Sequence, residues 1–159
     1  MKTLVVFYSR TGFTKKAALQ IAKSLKADSE EIFDITERRG VFGYIKSGRE
    51  ATLKKIPEIK ETKKDASNYD LIVIGTPIWA WNVSSPIRAY IDKNKDKFKK
   101  IAFFCTQGGS GSKNAFAEMK SLCKKDPIAV LTLKTSDVQN DDFATDVRFF
   151  SERIKKNLK

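Results

Sequence analysis

The chain contains no histidine among its 159 residues. This absence excludes Ser-His-Asp and Cys-His nucleophilic sites, HExxH metal sites and acid–base chemistry by imidazole. The two cysteines, Cys105 and Cys123, lack the CxxC spacing of a redox pair, and we expect buried free thiols. Any chemistry must come from carboxylates, lysines, hydroxyls, thiols or a bound cofactor. Neither a catalytic residue nor a metal ligand is predicted.

Long apolar runs are also missing from the sequence. No run approaches the ~20 residues that a bilayer span requires, so no membrane span is predicted. The apolar start, Met1 to Tyr8, is short and lacks a small-residue cleavage site, which indicates a core strand and not a signal peptide. The length is that of one domain, expected over residues 1–159. With free thiols, these features predict a cytoplasmic protein.

Negative charge is scarce, because 31 lysines and arginines face 19 acidic residues for a net charge of +12. Such an excess favours acidic partners, whether a protein, an anionic membrane face or nucleic acid. No reader motif for nucleic acid is present, so that partner is not expected. Lysines cluster at Lys93 to Lys100 and at Arg153 to Lys159. Each cluster is interpreted either as a solvated face or as a docking surface.

Short β-branched runs alternate with stretches of helical periodicity along the chain. The predicted strands are Lys2 to Tyr8, Ser29 to Ile35, Leu71 to Gly75, Ile101 to Thr106 and Ile128 to Leu133. The predicted helices are Phe13 to Ala27, Ser85 to Asn94, Lys113 to Lys124 and Asp141 to Leu158. Strands without polar alternation are covered on both faces, so the pattern predicts an α/β fold with a parallel sheet between two helical layers.

Residues Thr36 to Asn68 fit this scheme least well. Gly40 and Gly48 bracket an aromatic-containing piece, and a lysine-rich stretch follows through Pro57 to Lys64. We expect a helix with irregular flanks in place of the usual second crossover helix.

Three unusual turns follow predicted strands, at the edge where parallel α/β sheets bind ligands. The first, from Ser9 to Thr14, carries three hydroxyls, a glycine and the free amides of a helix start, which suit a phosphate. A Walker A loop requires GxxxxGK[ST], and this turn has a single glycine. Hydrolysis of nucleoside triphosphates is therefore disfavoured.

The second turn, from Thr76 to Pro86, holds both tryptophans, Trp79 and Trp81, in what we expect to be a loop. Tryptophan planes are suited to stacking on a flat heteroaromatic ring, although either residue could instead fix the loop by packing.

The third turn, from Thr106 to Ser112, is rich in glycine, and its amides could reach the polar edge of a pyrimidine ring. Cys105 precedes it, but the Cys-x5-Arg pattern of low-molecular-weight phosphatases fails because position 111 is glycine.

The segments FYSRTGFT, GTPIWAW and TQGGSGS, taken in this order, resemble the flavodoxin family over essentially the whole chain. The resemblance implies a three-layer sandwich with a five-stranded parallel sheet of order 2-1-3-4-5 and FMN at the point where the strand order reverses. By this resemblance, the loop that binds the phosphate comprises Ser9, Arg10, Thr11, Gly12, Phe13 and Thr14. The resemblance places Pro77, Ile78, Trp79, Ala80, Trp81 and Asn82 on one side of the flavin. It places Thr106, Gln107, Gly108 and Gly109 on the other side and at the pyrimidine end.

Two departures from the family pattern bear on function. Phe13 stands where the family often has asparagine, which removes one side-chain contact to the phosphate. Flavodoxins are typically acidic and this chain is basic, so we expect redox partner proteins with acidic docking faces. The leading hypothesis is an electron carrier, monomeric or weakly dimeric, and the alternative is an NAD(P)H-dependent flavin or quinone reductase on the same fold.

Overall fold

A computed structural model describes residues 1–35, 40–54 and 56–158 of the chain. Its strands in chain order are β1 (Thr3–Phe7), β2 (Asp28–Glu31), β3 (Leu71–Trp79), β4 (Asn82–Val83), β5 (Lys100–Gln107) and β6 (Val130–Lys134). Five strands are parallel in the order β2-β1-β3-β5-β6, and β4 pairs with β3 antiparallel. Because β5 and β6 are the fourth and fifth predicted strands, the 2-1-3-4-5 order is confirmed.

The helices are α1 (Phe13–Leu25), α2 (Gly40–Thr52), α3 (Ser85–Asn94), α4 (Ser112–Cys123), α5 (Thr135–Gln139) and α6 (Ala144–Asn157). Pro86 occupies the first turn of α3, where its missing N–H costs no helical hydrogen bond. Helices α1 and α4 each end on a left-handed lysine, Lys26 with φ 51° and Lys124 with φ 50°. Among the helices of the described ranges, none has both the length and the apolarity needed to cross a bilayer.

The sheet is covered by an apolar cluster on each face, as the unbroken hydrophobic strands predict. Side chains alternate along each strand, so Leu4 and Val6 of β1 face one cluster, and Val5 and Phe7 face the other. The central part of β3 follows the same alternation. This arrangement confirms the α/β fold with a helical layer on both sides.

Several predicted boundaries were wrong for local reasons. Strand β2 covers Asp28–Glu31 and not Ser29 to Ile35. The predicted last helix, Asp141 to Leu158, is α6 and begins later, at Ala144, because Asp141 has a left-handed φ of 61° that helical geometry does not allow. The short helix α5 before it was not predicted.

In the segment from residue 36 to 68, α2 is the expected helix, and a short 3₁₀ turn spans Ala66–Asn68. Positions 36–39 and 55 of that segment lie outside the described residues, as does Lys159 of the C-terminal lysine cluster.

Candidate functional site

The loop between β1 and α1 presents free backbone amides at a helix N-terminus. Gly12 takes a left-handed φ of 96° at the N-cap, and the Ser9 Oγ accepts hydrogen bonds from the amides of Gly12 and Lys15, both at 3.1 Å. Within the described residues, the amides of Thr11, Phe13 and Thr14 donate to no protein acceptor. Unpaired amides at the positive end of a helix dipole are suited to binding an anion.

The side chains of this loop have separate roles. The Thr14 hydroxyl is buried and lies 2.7 Å from the Thr106 hydroxyl at the end of β5, which ties the first loop to the third. Phe13 packs against the cluster on the α1 side of the sheet. Arg10 is half-buried, and Thr11 is exposed. Since Ser9 and Thr14 already have protein partners, Thr11 supplies the least committed hydroxyl of the loop.

The expectation of a loop from Thr76 onward was wrong, because the chain there forms a tight hairpin. Strand β3 continues through the half-buried Pro77 to Trp79 and returns as β4, with Trp79 opposite Asn82. The two turn residues, Ala80 and Trp81, have positive φ values of 45° and 63°. The Asn82 side-chain amide donates to the Ala80 carbonyl at 2.6 Å. Both residues therefore hold a left-handed conformation that costs free energy in non-glycine residues and that often marks functional sites.

The two tryptophans occupy different environments. Trp79 is 6% exposed and meets the Tyr8 ring edge-on, with centroids 5.4 Å apart. Trp81 is 61% exposed, and its indole N–H donates to the Ser110 hydroxyl at 3.0 Å. Trp79 therefore belongs partly to the core, while Trp81 presents an aromatic surface to solvent and to the third loop.

The loop after β5 approaches the hairpin closely at one glycine. Gly111 has φ 115°, and a Cβ placed on it would lie 2.7 Å from the Trp81 Cα. By contrast, a Cβ on Gly108 or Gly109 would meet nothing within 4 Å. The Gln107 side-chain oxygen accepts the Ser112 amide at 3.0 Å and so caps α4. The loop thus combines one tightly packed glycine with two that border open space.

A cavity of about 500 Å³ lies between these loops. Its lining includes six of the predicted site residues, namely Ile78, Trp79, Ala80, Trp81, Gly108 and Gly109. Pro77, Asn82, Thr106, Gln107 and the loop from Ser9 to Thr14 are not in the lining, although Thr14 joins that loop to β5. The predicted residues thus form an apolar aromatic cavity with a neighbouring anion-binding loop.

Three lining residues were not predicted: Ile45, Gly48 and Ser110. Ile45 and Gly48 lie three positions apart on α2, so they share one helix face. That spacing was readable in the sequence, but nothing in the sequence located α2 beside the cavity. Ser110 lies in the predicted third turn, next to the chosen glycines.

None of the described residues that line the cavity carries an ionisable side chain. The nearby Cys105 is fully buried, and burial raises the pKa of its thiol to about 12. Burial likewise raises the pKa of Cys123 to about 12. Because a thiol must ionise to act as a nucleophile, neither cysteine is active near neutral pH.

A buried ion pair supports the hairpin from behind. Arg88 of α3 is 2% exposed, and its guanidinium donates to Glu118 of α4 at 2.8 Å and to the Val83 carbonyl of β4 at 3.4 Å. One side chain therefore connects both helices to the returning strand of the hairpin. Sequence reasoning did not single out Arg88, because a lone arginine within a helix is usually a surface residue.

Comparisons with known proteins agree with this fold. A family model described as flavodoxin matches residues 2–147. Comparison with curated sequences gave no significant match. A flavoprotein from Lactobacillus acidophilus NCFM, solved in complex with FMN, is 28% identical with a TM-score of 0.73, covering 87% of this chain and 97% of that one. The apo form of the flavoprotein from that organism is 30% identical with a TM-score of 0.64, covering 87% and 95%.

The two-electron reduced flavodoxin of Megasphaera elsdenii shares the fold, with 16% identity and a TM-score of 0.63 over 97% of this chain and 98% of that one. The matched family model spans nearly the whole chain. The chain belongs to the flavodoxin family.

Proposed function

We propose that this protein binds FMN in the cleft between the three loops and serves as an electron-transfer flavoprotein. The observation that carries the proposal is an apolar, aromatic cavity without an ionisable lining side chain in the described structure, beside a helix N-terminus with free amides. Such a site can hold a flat ring and a phosphate but offers no acid or base for group transfer. When bound, FMN supplies the redox chemistry that the side chains lack.

The residues present fit the two halves of FMN. The free amides of Thr11, Phe13 and Thr14 and the Thr11 hydroxyl would receive the phosphate, with the α1 dipole adding positive potential. The cavity between Trp81 and the Gly108–Gly109 pair would receive the ring. Open space above both glycines lets a planar group approach the backbone closely.

Partner proteins would dock at the same edge, where the cleft opens. Lys113 lies in the first turn of α4, and Lys134 is the last residue of β6, so both place positive charge at this edge. Lys46 and Arg49 lie on α2 beside the lining residues Ile45 and Gly48. We infer that the redox partners carry acidic docking faces, because opposite charges accelerate association.

The binding test compares FMN with riboflavin, which has the same ring and no phosphate. We expect FMN fluorescence to be quenched by micromolar protein and riboflavin to bind more weakly. Replacing Thr11 by valine should weaken FMN binding by roughly tenfold, as for a hydrogen bond to a charged group, and leave riboflavin binding unchanged. Equal affinity for the two compounds would contradict the phosphate site.

The electron-carrier role has a separate test on the FMN-loaded protein. Incubation with NADH or NADPH and a quinone should give no sustained oxidation of the nicotinamide. Steady turnover would instead support the alternative, a flavin or quinone reductase. That result would not contradict the proposal that the protein binds FMN.

A further inference from the structure

The end of the molecule opposite the cleft carries a cluster of uncompensated positive charges. In a parallel α/β sheet, helices run back from the carboxyl ends of the strands, so their last turns gather at the amino ends. Seven lysines at this end, which we call the basic face, make no ion pair with a described residue: Lys23 in the last turn of α1, Lys26 just after it, Lys93 of α3, Lys100 at the start of β5, Lys124 after α4, and Lys155 and Lys156 of α6.

Nearby carboxylates do not neutralise the basic face, because most are already paired. Asp65, Asp70, Asp92 and Asp126 bind other lysines, which are Lys97, Lys99, Lys95 and Lys120 respectively. Asp28, Asp96 and Glu152 make no ion pair with a described residue and offset three of the charges, so the lysines remain in excess. The seven lysines named above are all exposed.

Hydrogen bonds hold the basic face together across both helical layers. Lys125 donates to the carbonyls of Phe98 and Lys99, which joins the end of α4 to the segment before β5. The Asn157 side chain at the end of α6 donates to the Ile128 carbonyl before β6. The lysines of the basic face therefore form one broad positively charged surface that extends over both sides of the sheet.

The composition of the basic face distinguishes between classes of acidic partner. A protein interface needs an apolar centre, yet the last turns of α1, α3, α4 and α6 present no exposed large apolar side chain in the described structure, and the exposed Met1 before β1 is an isolated apolar residue beside them. Proteins that bind nucleic acid rely on bidentate hydrogen bonds from arginine and on stacking of bases against aromatic side chains. The unpaired cations of this face are instead lysines, with Arg153 beside them on α6. Clustered lysines on a broad surface are typical of contact with anionic lipid headgroups.

We propose that the basic face binds the protein peripherally to membranes that contain anionic phospholipid. Strand β5 has eight residues, so its two ends lie roughly 25 Å apart at the rise of a parallel strand. The cleft at the carboxyl ends consequently points away from the bilayer. A membrane-bound molecule would keep its FMN site open to partner proteins.

The test is binding of the FMN-loaded protein to vesicles, with a charge-matched control. Lys100→Gln with Lys124→Gln removes one strand-end and one helix-end lysine from the basic face. Lys134→Gln with Lys113→Gln removes the corresponding pair from the cleft edge. On vesicles of phosphatidylcholine with phosphatidylglycerol, we expect the first variant to bind roughly 30-fold more weakly and the second to bind like the unmodified protein.

Binding should also vanish on pure phosphatidylcholine and weaken steeply as salt is raised. The proposal is overturned if the unmodified protein does not bind phosphatidylglycerol vesicles, or if both variants lose binding equally. Salt-sensitive binding to duplex DNA or to polyglutamate without vesicle binding would overturn it as well and would assign the basic face to another class of partner. Retained FMN affinity in both variants confirms that each is folded.

Discussion

Two glycines of the loop after β5 have different roles, which alanine substitutions can distinguish. Gly111 packs against Trp81, so its replacement should lower the stability of the fold, whereas Gly109 borders the cavity, so its replacement should weaken FMN binding. Alanine at position 111 must keep a φ of 115° and place its Cβ 2.7 Å from the Trp81 Cα and 2.9 Å from the Ile78 Cγ2. A forced left-handed conformation costs about 1–2 kcal/mol. Overpacking against fixed neighbours costs about 1–3 kcal/mol more. We therefore expect Gly111→Ala to lose about 3 kcal/mol of unfolding free energy, because backbone atoms cannot move aside.

The assay is thermal unfolding in the absence of FMN, with Gly109→Ala as the matched control from the same loop. For a domain of this size, about 3 kcal/mol corresponds to a fall in Tm of about 6–12 °C. Gly109→Ala should unfold within a few degrees of the unmodified protein, since its Cβ enters open space. That open space belongs to the cavity, so the same change should weaken FMN binding. A Tm for Gly111→Ala indistinguishable from that of the unmodified protein would refute the reasoning.

Two further changes probe the buried groups. Arg88→Met leaves the Glu118 carboxylate buried without its partner and should cost about 3–5 kcal/mol in urea unfolding, whereas the double variant with Glu118→Leu should recover most of that loss. No recovery in the double variant would contradict the account. Cys105 and Cys123, with pKa values raised by burial to about 12, should resist iodoacetamide at pH 8 in the native protein and react quickly after denaturation. Rapid alkylation of either thiol in the folded protein would show that it is accessible.

The sheet was predictable from sequence because its signals are local. Each strand of the sheet centre reads as an apolar run, and the alternation of Leu4 with Val5 between two clusters follows from strand geometry alone. The order of the strands came from the resemblance to flavodoxins. The weak edge strand β2 was placed less well, since none of its four residues is fully buried.

The interior of the site was less predictable, because it depends on contacts between distant parts of the chain. The Thr14–Thr106 hydrogen bond joins residues 92 positions apart, and the Trp81–Ser110 bond joins residues 29 apart. Two left-handed non-glycine residues in the hairpin turn run against local propensity, so the sequence favoured a loop there. Local preference is expected to fail at such strained functional positions.

The two ends of the molecule should act independently in physiological salt. The Debye length at about 0.15 M is about 8 Å, and the basic face lies roughly 25 Å from the cleft along β5. Its lysines can therefore attract an anionic surface that comes into contact with them, while their field at the cavity is largely screened. Because no described lining residue is charged, we expect binding of FMN to be governed by local amides and apolar contacts. It follows that changes of charge on the basic face alter where the protein resides and leave its affinity for FMN unchanged.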